Sequence, residues 1–147
     1  MSRLRHLAMS PADYVLAARI AWFVARAPRR LARQDLPRFL ASARGAPRPG
    51  AADVRSGRRR IARLRRLVLR VPGLRARNTC YMRALTMYRF LDAGDATVRF
   101  HVGVEERDDP TTRLHGHAWV SVDGVVIEEG PLAVGRPMRE VDVDPRR

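Results

Sequence analysis

Asn78-Thr79-Cys80-Tyr81-Met82-Arg83-Ala84-Leu85 reads as the start of a helix, and Cys80 is the only cysteine of the 147-residue chain. Tyr81, Ala84, Leu85, Tyr88 and Leu91 recur at helical spacing, so the helix runs from about Thr79 to Leu91 and packs on one face. Further on, His115-Gly116-His117-Ala118-Trp119-Val120 has the composition of a β-strand. A thiol at a helix start and an imidazole on a following strand is the layout of a cysteine nucleophile and its base. A lone thiol has no internal disulfide partner, so its presence calls for another explanation.

Working outward, the period changes after Asp92-Ala93-Gly94-Asp95. Thr97–Val104 reads as a strand and Glu105–Thr112 as a polar loop. His115–Val122 and Val125–Glu129 read as strands joined at Asp123-Gly124, a hairpin signal. Beyond Gly130 a Pro- and charge-rich tail has room for one more short strand. Upstream, Ser10-Pro11-Ala12-Asp13 caps a helix that is expected to stop at Pro28, with Leu16, Ile20, Phe23 and Val24 inward and Trp22 close to them. A short helix fits Leu36–Arg44. After the breaker cluster Gly45–Gly50 a third helix fits Ala52–Leu69, with Ile61, Leu64, Leu67 and Val68 on one side and Arg58, Arg59, Arg63 and Arg66 on the other. The expected fold is α+β. A basic, helical region (residues 1–72) precedes a core of one nucleophile helix on a small antiparallel sheet (residues 73–147).

The net charge is +14, and all 29 cationic residues are arginine. Residues 1–75 carry 19 Arg against Asp13, Asp35 and Asp53, whereas residues 76–147 carry 10 Arg against 12 acids. The basic half should attract an acidic partner. Arg59, Arg63 and Arg66 are candidates to dock a partner or peptide, beside the plainer reading of a solvated helix face. No zinc finger, helix-turn-helix or RNA-binding aromatic pattern points to nucleic acid. The apolar run Tyr14–Ala25 is too short to span a bilayer and contains Arg19. Ala25-Arg26-Ala27 imitates a signal-peptidase site, but Pro28 after it and Asp13 before the run speak against cleavage. The unpaired cysteine fits a reducing cytoplasm.

Thiolate is the reactive form of cysteine, and the open N–H groups of a helix start favour negative charge there. The same N–H groups stabilise the oxyanion formed when a thiolate attacks a carbonyl, with Asn78 a candidate side-chain donor. His117 is the candidate base, and His115, two residues away on the same strand face, is a cleft candidate. An acid should orient the imidazole. A tight two-residue turn at Asp123-Gly124 would put Glu128 on His117's face, whereas a third turn residue with a bulge would put Glu129 there. Asp123 itself is better explained by turn chemistry. Rival readings are an inert core thiol, a satisfied core histidine, or zinc on Cys80, His115 and His117, which lacks a fourth ligand and a familiar spacing.

Cys80-x-x-Arg83-Ala84-Leu85, the helix ending in Gly94, the strand ending in Val102-Gly103-Val104, and His117-Ala118-Trp119-Val120-x-Val122-Asp123-Gly124 together resemble the B2 leader peptidases of lasso-peptide biosynthesis. These belong to the transglutaminase-like cysteine protease superfamily. The resemblance covers about residues 75–130. It implies a papain/transglutaminase-like core with Cys80 as nucleophile and His117 as base. The family's aspartate, about a dozen residues after the histidine, falls at Glu129, a different residue type, with Glu128 the alternative. The resemblance also implies removal of the leader from a ribosomal precursor peptide. A small recognition protein (B1) presents that leader, and a lasso cyclase acts on the freed amine. Peptide-bond hydrolysis requires no metal or cofactor, and a role for ATP stays open. The rivals are acyl transfer or amidase chemistry on the same residues, and a non-catalytic basic binding module.

Overall fold

The computed structural model describes residues 9–44, 50, 53–105, 116–128 and 138–141. Four helices precede a four-stranded sheet: α1 (Pro11–Leu31), α2 (Leu36–Ala43), α3 (Val54–Val68), α4 (Cys80–Phe90), β1 (Val98–Glu105), β2 (Gly116–Val122), β3 (Val125–Glu128) and β4 (Met138–Val141). The fold is α+β. Strand order is β3-β2-β1-β4, with every pairing antiparallel.

Each helix start follows from local chemistry. Ser10 Oγ accepts the Asp13 N–H while the Asp13 carboxylate accepts the Ser10 N–H, a reciprocal cap. Asp35, Asp53 and Thr79 cap α2, α3 and α4 in the simpler one-way form. Contrary to expectation, α1 does not stop at Pro28 but continues to Leu31. Proline lacks the N–H that would bond the carbonyl four residues back. That carbonyl belongs to Val24, and Arg77 Nη1 donates to it at 2.8 Å. A guanidinium from just before α4 replaces the missing donor, so the helix survives its proline.

One hydrophobic cluster runs through the molecule. Ile20 and Val24 of α1, Phe39 and Leu40 of α2, Leu64 of α3, Leu85 and Met87 of α4, and Val120 of β2 are all fully buried in it. The shift in charge between the two halves of the chain is therefore not a gap in packing. α4 is buried nearly all round, with Thr86 and Met87 inside beside the expected Ala84, Leu85 and Tyr88. Two inward expectations fail. Trp22 is 61% exposed, because it sits on the side of α1 opposite Ile20 and Val24, and Leu67 points outward from α3. Among the described residues no helix is long and apolar enough to cross a membrane.

Candidate active site

Cys80 is the first residue of α4 and is half-buried. Thr79 Oγ1 takes the Met82 N–H and the Thr79 carbonyl takes that of Arg83. Among the described residues, the N–H groups of Cys80 and Tyr81 are then the open donors of the first turn. Cys80 Sγ donates to the Gly116 carbonyl at 3.9 Å, so the thiol lies against the start of β2, one peptide unit from His117. Beside it, burial pushes the Tyr81 hydroxyl up to about 12, so this phenol stays neutral at working pH.

Strand alternation sorts β2 into two faces. Ala118, Val120 and Val122 join the core beneath α4. His117, Trp119 and Ser121 take the outer face. There the His117 ring stacks on Trp119 at 6.2 Å, and His101 of β1, directly opposite Trp119, stacks on it at 5.3 Å and 5°. His101 Nε2 lies 2.7 Å from Ser121 Oγ. Trp119 is buried as expected, but between two imidazoles rather than in the helical core. His101 and Ser121 were not singled out from sequence. The signal was the pairing itself, since Gly103 opposite His117 places His101 opposite Trp119. Arg99, His101, Trp119, Ser121 and Val126 line a shallow hollow of about 590 Å³ that continues this face.

The hairpin turn is tight. Val122 pairs with Val125, and Asp123 and Gly124 both adopt left-handed angles (φ 48° and 80°). Asp123 exchanges hydrogen bonds with the backbone of Thr97 at 2.8 and 2.9 Å, in keeping with its turn role. A tight turn was expected to place Glu128 with His117. The structure corrects this. Ser121 pairs with Val126 but Val120 with Glu128, so Ile127 is an extra residue in β3 and the face alternation flips after it. Glu128 therefore shares the core face of Val120. There it accepts from Arg65 of α3 at 2.8 Å, with both side chains under a tenth exposed. Glu128 is held by Arg65 on the opposite face from His117, which removes it as the alternative acid. Glu129 and His115 lie outside the described residues.

Asn78 is exposed beside Cys80, and its Oδ1 accepts from Arg83 Nη1 at 3.2 Å, which leaves its NH₂ as the outward donor. The Arg83 carbonyl in turn accepts from Arg65. One chain of contacts thus ties the residue before the cap to the buried ion pair. Of the candidate docking arginines, Arg63 is already committed, since its Nη2 meets Asp13 at 2.9 Å across α1 and α3. Arg59 and Arg66 are exposed. Among the described residues, no three His, Cys, Asp or Glu side chains are grouped to hold a metal ion.

A thiol at the start of a buried helix, laid against a strand that carries His-Ala-Trp, agrees with a comparison of the whole chain. The model of the transglutaminase-like superfamily matches residues 14–137. The chain belongs to the transglutaminase-like superfamily. The match begins within α1 and ends just before β4, taking in the rest of α1, the other three helices and strands β1 to β3, so the basic helical half is part of the superfamily match. Searches of curated proteins and of solved structures returned no match.

Proposed function

We propose that this transglutaminase-like protein is a cysteine peptidase that removes the leader from a ribosomally made lasso precursor peptide. The observation that supports it best is the Cys80 thiol, at a capped helix start with two open N–H groups, against the peptide that leads into His117. The thiolate attacks the carbonyl carbon of the scissile bond, forming a C–S bond and an oxyanion. The N–H groups of Cys80 and Tyr81 and the Asn78 amide are the donors available to that oxyanion. As the C–N bond breaks, His117 gives its proton to the leaving amine. It then takes a proton from water, whose oxygen attacks the thioester and frees the leader as a carboxylic acid. Glu129 is the acid proposed to orient His117. A separate B1-type recognition protein presents the leader, and a cyclase consumes the new amine.

Cys80→Ala tests this. With precursor peptide and recognition protein supplied, the variant should lose cleavage by at least about a thousandfold while its circular dichroism is unchanged. Retained cleavage would remove Cys80 from the chemistry. Product analysis separates the acyl-transfer alternative, because hydrolysis yields a free acid and transfer yields a new amide or ester. The wild-type chain alone should turn over slowly and gain clearly on addition of the recognition protein.

A further inference from the structure

The Cys80 chemistry leaves unexplained a group of arginines on the outer flank of α1. Arg19 and Arg89 stand over the same Phe90 ring, 5.9 and 5.4 Å from its centroid. Arg30 stands 5.6 Å over Phe39, and Phe23 links the two rings at 5.7 and 6.0 Å. One helical turn round, Arg26 covers Trp22 at 3.7 Å. None of these four arginines is paired with a carboxylate among the described residues. The crowding is felt electrostatically. Burial, then the like charges of Arg19 and Arg30, hold the Arg89 guanidinium below its ordinary value. Like charges gathered without a counter-charge disfavour the free state and favour any state in which an anion joins them.

We propose that this flank of α1, with the end of α4, is a docking surface for an acidic, partly apolar segment of a partner polypeptide. The guanidiniums are held beside rings, which restrains them and lowers the cost of fixing their forks on carboxylates. Exposed Val15 and Trp22 continue the same side of the helix and supply apolar contact of the kind that anchors protein interfaces. Nucleic acid fits less well. Single strands bind by stacking bases on open aromatic faces, and here guanidiniums already stand over Phe90 and Trp22. The surface is independent of whether Cys80 reacts.

The test is fluorescence anisotropy of the full chain with a labelled oligoglutamate peptide carrying one tryptophan. Parallel arms use a labelled oligothymidylate and phosphatidylglycerol vesicles. The variant Arg19→Gln/Arg89→Gln should bind the peptide about tenfold more weakly. The control Arg55→Gln/Arg58→Gln, with the same loss of charge at exposed positions of α3, should match wild type within about twofold. The oligoglutamate should also raise the melting temperature of wild type more than that of the Arg19/Arg89 variant. Equal weakening by both pairs would overturn the proposal in favour of general charge attraction. No binding of the peptide, or cluster-dependent binding of the oligonucleotide or vesicles in its place, would also overturn it. Arg19→Gln alone is the fallback should the double variant fail to fold.

Discussion

Helix α3 meets an acid twice, and the two meetings differ in kind. At its outer edge Arg60 and Arg63, each 43% exposed, clasp Asp13 of α1 at 2.7 and 2.9 Å. Two residues past Arg63, Arg65 turns inward to Glu128 of β3, where neither side chain reaches solvent appreciably. The charges and distances are nearly the same, so the surroundings decide the energetics. In the outer clasp only the Asp13 carboxylate is buried, while both arginines keep much of their hydration, so attraction and desolvation are each smaller than for a fully buried pair. The inner pair has given up its hydration and depends wholly on its partner. Counting arginines in this chain therefore says little about stability, whereas asking what each one faces says much.

Breaking the inner pair should have the largest effect. Arg65→Met leaves Glu128 buried without a counter-charge and is expected to cost about 3–5 kcal/mol in urea unfolding. Arg65→Met/Glu128→Leu removes both charges and should recover most of that loss. It will not recover all of it, since Arg65 also holds the Arg83 carbonyl. A single variant that loses less than about 1 kcal/mol would mean that the pair is hydrated in solution after all.

The same contrast explains what could be read in advance. The α4 helix was legible to within a residue at each end, because its cap and apolar spacing are local. The Asp123-Gly124 turn was legible for the same reason. The face taken by Glu128 was not, since it depends on the bulge at Ile127, and the carboxylate that the bulge moves to the core face meets Arg65 from 63 positions away. The run of α1 through Pro28 likewise depends on Arg77, 53 positions from the carbonyl that it satisfies. At the candidate site, Cys80 and the strand of His117 were legible as motifs. The Trp119 sandwich with His101 required the β1–β2 register.

Loosening the outer clasp should have a smaller effect, visible mainly in acid. The hydrogen bond from Arg60 holds the Asp13 carboxyl below its ordinary 3.8, helped by the Ser10 N–H and opposed by burial. A carboxyl lowered on folding contributes stability that is full above its unfolded value. That stability is lost as pH falls below 3.8 through the lower folded value. Asp13→Asn should therefore be less stable than wild type at neutral pH, by less than Arg65→Met. The two chains should converge as pH falls through that window. Parallel melting curves for the two chains across the whole range would instead assign Asp13 a role in packing and not in charge.

The smallest effect belongs to an arginine that faces only water. Arg59 is exposed on α3 and makes no ion pair among the described residues, so Arg59→Gln should change stability by no more than about 0.5 kcal/mol. Glutamine and arginine have similar helix propensity, so the substitution isolates the charge. With one cation removed from a chain of net charge +14, relief of self-repulsion favours a slight gain over a loss, most visible at low salt. A clear loss of stability would show that this face is engaged within the folded chain. That result would extend the Asp13 clasp along α3 and narrow the difference between its two sides.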